Sequence, residues 1–373
     1  MKHPTTIFIN GKFLAQRLTG VQRHASQLVL ALDNLLMESS TREEHRLLEW
    51  VLLTPPNVPT MPLRAIRQQA VTAPSRNLHI WEQFTLPWAA RSGVLLNLAG
   101  GAPYAHTQQF ITICDAAIFD HPEAYSPFFV LWYRRLFGYL ASRAIAVLTI
   151  SDFSRVRLQH WLGRGHRYII VSCAVDHMRQ LEADFSALER SGLNHGAYLL
   201  AVGSANPTKN FGRLVRAFSQ IPADKQIPLV IVGGQNTTVF SQEQDVAHCS
   251  NLIYTGPIDD RELKALYQGA RAFIFPSVYE GFGLPPLEAM TCGCPVAASA
   301  AASIPEICND AALYFNPLDE NDIRNAIVQM IENKDLREDL RRKGEIQAAL
   351  FNWRISATRL LEVVLSSVSE KGR

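Results

Sequence analysis

Short apolar runs alternate with amphipathic helical patterns along this chain. Runs at 6–10, 50–54, 94–97, 110–114, 144–150 and 168–171 occupy the first half; runs at 198–203, 229–233, 252–255, 272–275, 295–299 and 312–315 occupy the second. A strand followed by a helix and another strand pairs in parallel, because the crossover returns the chain to the same edge direction. The expected class is α/β, built from doubly wound, Rossmann-like sheets. A chain of 373 residues exceeds one usual hydrophobic core. The polar segment 179–196 has no strand pattern and separates the two series. The domains are therefore expected at 1–180 and 191–373, with a last helical stretch at 352–368.

Composition excludes several classes. No run of 18 apolar residues occurs, so no membrane span is expected. Met1-Lys2-His3-Pro4 leads directly into a strand-like run, without a secretory apolar region. The six cysteines form no paired framework, and Cys292-x-Cys294 is too tight for a usual zinc site. Reduced thiols in a cytoplasmic protein are the plain reading. Residues 1–185 hold 18 Lys+Arg and 13 Asp+Glu, a balance of +5, whereas the remainder holds 18 and 21, a balance of −3. The first half is the one expected to face an anionic surface or a pyrophosphate-bearing acceptor. No nucleic-acid partner is expected. No Gly-x-Gly-x-x-Gly follows the first strand, which argues against a dehydrogenase.

Chemistry concentrates at 277–296. An apolar strand at 272–275 feeds a turn carrying Gly281, Phe282 and Gly283, and a helix opens near Leu284-Pro285-Pro286. Proline suits the start of a helix, where a missing N–H costs little, and Pro286 is expected at the first helical position. That places Glu288 in the first turn, near the positive helix end. Glu280 lies on the loop, eight residues before Glu288. In open α/β sheets ligands bind at the carboxyl ends of the strands, so both carboxylates can face one crevice. Two glutamates at this spacing mean nothing alone; a solvated strand–loop–helix connection would carry them equally well.

A second loop has phosphate-binding character. The strand at 198–203 ends in Gly203-Ser204, and Thr208-Lys209-Asn210 follows just before a helical pattern through Phe211, Leu214, Val215 and Phe218. Free N–H groups at a helix start favour a diphosphate, and a lysine adds a full charge.

The string Glu280-Gly281-Phe282-Gly283-Leu284-Pro285, with Glu288 and the downstream Gly293-Cys294-Pro295-Val296, resembles the glutamate-x7-glutamate motif of the retaining, sugar-nucleotide-dependent glycosyltransferases of family 4, the group 1 transferases. The resemblance implies a GT-B fold, two doubly wound domains facing each other across a cleft, with the stretch 352–368 packing back across both. It implies that Glu288 receives both ribose hydroxyls and that Glu280 lies beside the transferred sugar. The N–H groups of Gly281, Phe282, Gly283 and Leu284 would meet sugar hydroxyls and phosphate. Backbone at Gly256 and Ile258 would border the base. Gly203, Ser204, Lys209 and Asn210 correspond to the donor-phosphate loop. Ser204 and Thr208 stand where the family often has arginines, which leaves Lys209 as the cation.

In the first half, Thr19-Gly20-Val21-Gln22-Arg23 resembles a family loop near donor phosphate and acceptor, which assigns Gly20 to the donor and Arg23 to an anion. Cys114-Asp115 occupies the strand end where the family usually carries His-Asp. Asp115 is a candidate for acceptor orientation or general base, and His121 a further acceptor contact. Cys173-Ala174-Val175-Asp176 replaces the usual Asn-Gly-Val-Asp, and Ser303-Ile304-Pro305-Glu306 resembles a family turn. Trp81-Glu82-Gln83 with Leu86-Pro87 resembles a signature of mannosyl- and rhamnosyl-type members. The aromatic stretch at 126–140 is read as core rather than as an interfacial helix.

The reading that results is a retaining hexosyl- or deoxyhexosyltransferase. It would move a sugar, mannose first among them, from a nucleoside diphosphate to a glycan or lipid-linked oligosaccharide acceptor in surface polysaccharide synthesis. Glu280, Lys209 and Asp115 are the candidate catalytic residues. No Asp-x-Asp motif occurs, so neither a metal nor a cofactor beyond the sugar nucleotide is expected. Weak contact with the inner face of the plasma membrane is expected. The rivals are a nucleotide-sugar epimerase on the same fold and a non-catalytic sugar-nucleotide or glycan binder.

Overall fold

The computed structural model describes residues 5–38, 48–73, 75–204, 206–233 and 251–371. Met1 to Pro4, Ala205, Gly234 and Cys249 lie outside them. Two compact units result, Met1–Ala174 with Asn352–Arg373, and Val175–Phe351.

The first unit holds β1 (Thr5–Asn10), β2 (Leu48–Thr54), β3 (Arg67–Ala70), β4 (Val94–Asn97), β5 (Gln109–Thr112), β6 (Ala146–Thr149) and β7 (Tyr168–Ile170). They form a parallel sheet in the order β3-β2-β1-β4-β5-β6-β7. The second unit holds β8 (Leu199–Val202), β9 (Leu229–Val232), β10 (Leu252–Gly256), β11 (Ala272–Phe275), β12 (Val296–Ser299) and β13 (Ala312–Phe315). Their order is β10-β9-β8-β11-β12-β13, again parallel. In both sheets the winding reverses beside the first strand, between β1 and β4 and between β8 and β11. Central strands such as β4, β9, β11 and β12 are buried along their whole length, as strands covered on both faces must be.

The expected strands all occur. One was not expected: β3 reads Arg-Gln-Gln-Ala, pairs with β2 at the sheet edge and is largely exposed. It has no hydrophobic signal because its side chains are largely exposed rather than packed under a helix, and polar residues on an edge strand discourage pairing with other chains.

The helices that frame the sites are α1 (Gly20–Glu38), α2 (Pro127–Arg143), α3 (Phe211–Ser219), α4 (Asp260–Gly269), α5 (Leu284–Thr291), α6 (Glu320–Glu332), α7 (Lys334–Ala349) and α8 (Trp353–Lys371). In the second unit, Leu214, Val215 and Phe218 of α3 share one core with Ile231, Ile274, Ile323 and Ile327.

The division of the chain differs from the expected 1–180 and 191–373. The segment 179–196 lies inside the second unit: Lys264 Nζ donates to Leu181 O at 2.7 Å and Arg271 Nε to Gly196 O at 2.6 Å. These bonds tie the backbone of the segment into the second unit, so it is not a linker. The last helix belongs to the first unit. There the Trp353 ring lies 5.6 Å from that of His24, and Ser356 Oγ donates to Ser172 O at 2.7 Å.

The aromatic stretch is only half core. Leu136, Phe137 and Leu140 of α2 are buried, but Phe128 is 78% exposed, Leu131 52% and Trp132 43%. A helix on a sheet buries one stripe, and these residues fall on the other.

Candidate active site

The second unit's site is built from two neighbouring strand ends. The loop after β8 and the loop after β11 emerge side by side at the point where the winding reverses, and such a crevice is where open α/β sheets bind ligands. The first loop runs through Gly203, where a Cβ would come within 3.0 Å of the Phe211 ring. Asn206 caps a turn over Pro207–Lys209 by accepting from Thr208 N. Asn210 then takes a left-handed backbone with φ of 59° and opens α3. Its amide donates to Pro276 O at 3.1 Å and Pro317 O at 2.8 Å. Those bonds make Asn210 a brace between loops.

Lys209 is thereby aimed at the second loop. Its Nζ donates to Glu280 Oε1 at 2.6 Å, with both side chains largely buried, and lies 5.7 Å from the centre of the Phe275 ring. The structure thus joins two of the three candidate catalytic residues. Two serines hold them there, and neither was expected in that role. Ser277 Oγ donates toward Thr208 O and Tyr279 O, and Ser303 Oγ toward Glu280 O and Phe282 O at 2.9 Å. Small hydroxyls opposite backbone carbonyls leave no periodic signature. For Ser303 the signal was its membership of the 303–306 turn.

Phe282 is buried and packs edge-on against Phe351 at 5.6 Å. Its ring is core, so only its backbone can serve a ligand. Gly283 has φ of +102° and precedes α5. The helix begins at Leu284, two residues before the expected start. Both prolines fit because none of the first-turn N–H groups has an intrahelical partner. Glu288 consequently lies one turn inside α5, not in its first turn, and owes less to the helix dipole than expected. It is buried, and Tyr267 Oη donates to its Oε2 at 3.2 Å. Burial first, then the Glu288 carboxylate, raise the Tyr267 phenol well above its ordinary value, so it stays a donor. A carboxylate offers about four acceptor positions, so this bond is compatible with further bonds to ligand hydroxyls. Tyr267 was missed because it comes from α4, far in sequence. Gly256 ends β10 with φ of +71° and accepts from Gly233 N, Ile258 follows half-buried, and Ser204 is exposed.

The first unit's candidates have these places. Gly20 opens α1, and Arg23 N donates to Thr19 O. Asp115 Oδ1 accepts from Ala117 N at 2.8 Å, and His121 Nδ1 lies 3.0 Å from Glu123 Oε1. Burial, with the Asp115 carboxylate beside it, pushes the Cys114 thiol up to about 12. At ordinary pH it is therefore held as the neutral thiol.

The winding reversal of the first sheet carries a polar cluster that was not expected. Asn10 and Asn97, at the ends of β1 and β4, are joined by a 3.0 Å bond, and Asn97 donates to Gln109 Oε1 at 2.9 Å. Asn10 Nδ2 also donates to Glu82 Oε1 at 3.2 Å, and Lys12 Nζ to Glu82 Oε2 at 2.7 Å. Lys12 and Glu82 are both buried. A cavity of about 460 Å³ opens over them, lined by Gln16, Glu82, Gly101, Phe129, Trp132 and Tyr133.

Two parallel, doubly wound units with a lysine–glutamate pair at one switch point define the GT-B class. The family model for glycosyl transferases, group 1, matches residues 188–347. O-antigen chain mannosyltransferase B of Escherichia coli is 32% identical over 268 residues, 69% of this chain and 70% of that protein. Among solved structures, sucrose-phosphate synthase from Thermosynechococcus elongatus superposes with a TM-score of 0.73 at 20% identity, covering 99% of this chain and 100% of that one. Anabaena Alr3699/HepE in complex with UDP and glucose gives 0.69 at 15% identity, covering 97% and 99%. The chain belongs to the group 1 glycosyl transferases.

Proposed function

We propose that this protein is a retaining, metal-independent mannosyltransferase that extends a surface glycan, with GDP-mannose as donor. The observation that carries the reading is the Lys209–Glu280 pair set at the switch point of the second sheet beside the start of α5. The E. coli relative bears the name of an O-antigen mannosyltransferase, which supports mannose and that class of acceptor. The Anabaena structure holds UDP and glucose, which supports a nucleoside diphosphate sugar as donor.

In this reading Glu288 takes the ribose hydroxyls, and Lys209 with the N–H groups of Gly281, Phe282, Gly283 and Leu284, the turn that leads into α5, takes the diphosphate. Cleavage of the bond between the anomeric carbon and the phosphate oxygen leaves charge on the diphosphate. A fixed ammonium and the N–H groups of the turn before α5 stabilise that charge without reorganising. Glu280 faces the sugar as positive charge develops on its ring. The acceptor hydroxyl attacks from the face the diphosphate leaves and passes its proton to the departing phosphate oxygen. Arg23, Asp115 and His121 orient the acceptor.

The protein is further proposed to work at the cytoplasmic membrane surface. Exposed Phe84 and Trp88, with Arg91 4.4 Å over the Trp88 ring, support this. No helix of the described residues is long and apolar enough to cross a membrane.

Mannosyl transfer from GDP-mannose to a manno-oligosaccharide, assayed in EDTA, tests the reading. Transfer should persist in chelator. Loss in EDTA with recovery on adding magnesium or manganese contradicts the metal-free account.

A further inference from the structure

The cavity over Glu82 lies where a doubly wound sheet binds its ligand. Gln16 comes from the loop after β1 and Gly101 from the loop after β4, the two strands at which the winding reverses. Its walls are aromatic. Trp132 stands edge-on to Tyr104 at 6.1 Å, and Phe129 packs on Tyr133 at 4.3 Å. Trp132 is 43% exposed and Phe129 39%.

The floor is charged. Glu82 keeps its carboxylate buried against Lys12 and Asn10. A buried ion pair adds little net stability over apolar packing, so fold energetics give no reason for one here. Gly101 makes room for it: a Cβ there would stand 2.6 Å from Glu82 Oε1. A Gln83 amide fixed at both ends, donating to Ala102 O and accepting from Tyr104 N, holds the surrounding loop.

Aromatic faces above a fixed carboxylate match one ligand chemistry. A pyranose has an apolar C–H face that stacks on rings and a rim of hydroxyls that donate to carboxylates. A volume of about 460 Å³ is room for one or two such rings. We propose that this cavity is the subsite for the terminal pyranose of the acceptor glycan, stacked on Trp132 and Phe129 with its hydroxyls donating to Glu82. The assignment rests on the reading of the protein as a glycan-extending transferase, and it adds the residues that select the acceptor.

Saturation-transfer NMR on the full-length protein tests it. The probes are α-linked mannotriose and the methyl glycosides of glucose, galactose and N-acetylglucosamine. The variants are Trp132→Ala, whose side chain is partly in solvent, and Glu82→Gln, checked for unchanged melting. Wild type should bind one of the probes. Trp132→Ala should weaken that binding and raise the acceptor KM about tenfold, the size of one lost aromatic contact, while donor affinity by calorimetry stays put. Glu82→Gln should move the acceptor KM the same way.

No binding by any probe overturns the proposal. So does an acceptor KM unmoved in both variants. Loss of anionic-vesicle sedimentation in Trp132→Ala with unchanged acceptor KM also overturns it, because the walls would then face lipid. If wild type transfers no sugar from any nucleotide donor, yet binds mannotriose in a Trp132-dependent way, the transferase reading fails and the subsite stands.

Discussion

Lys209 and Glu280 sit 2.6 Å apart with little solvent between them and the core, a geometry that four loop-bracing groups maintain: Asn206, Asn210, Ser277 and Ser303. The lysine is thus placed before any substrate arrives, which is what electrostatic stabilisation of a leaving group requires. Lys209→Ala should lower kcat by roughly 10²–10³, the scale of removing one oxyanion-type donor, with donor affinity less affected. Glu288→Ala should do the reverse. It should weaken donor binding, each lost charge-assisted hydrogen bond being worth about 1.5–3 kcal/mol, with a smaller effect on kcat. Calorimetry and steady-state kinetics on both variants check the split. Equal effects on both parameters from either variant would remove the division of labour proposed for the two residues.

At the scale of elements, α1 and α8 meet through His24 and Trp353, and His24 Nδ1 also lies 3.3 Å from Cys173 Sγ. Burial lowers the His24 pKa from 6.5 to about 4. Between those values the unfolded chain binds a proton that the folded chain refuses. The stability is therefore full above about pH 6.5 and is lost as pH falls toward 4, by up to about 3 kcal/mol. Denaturant melts across that range should show the decline, and His24→Leu should flatten it; an unchanged slope would remove His24 as its cause.

The elements were legible to different degrees for physical reasons. Apolar runs bounded by turns announced the buried strands, whereas β3 had no apolar face to announce. The start of α5 slipped by two residues because Pro285 and Pro286 are both tolerated in a first turn. An amphipathic pattern says that α8 buries a face but not which helix covers it. The Glu280–Glu288 spacing and the lysine loop were visible because each lies within one short segment. Tyr267, Ser277 and the Asn10–Asn97–Glu82 cluster were not, because separate segments meet only when the sheet winds.

The molecule as a whole repeats one device, a parallel sheet whose winding reverses beside its first strand, and places polar groups at each reversal. One reversal holds the lysine–glutamate pair, and the other holds the aromatic-walled cavity. The +5 balance of residues 1–185 and the exposed rings of the first unit point to weak surface attraction. Each basic residue near an anionic leaflet is worth about 1 kcal/mol and is screened by salt. Sedimentation with anionic vesicles should therefore show partial binding at low ionic strength and release at high salt. Binding that survives salt would mean apolar insertion, and none at low salt would remove the membrane from the account.

The central claim is that sugar leaves a nucleoside diphosphate and joins an acceptor with its anomeric configuration kept. Proton NMR of the product formed from GDP-mannose and a manno-oligosaccharide reads that directly. GDP-mannose is an α-glycoside, so the account predicts a new α-linked mannose with one GDP released per linkage. A β-linked product would contradict retention, and an epimerised donor with the acceptor untouched would contradict transfer.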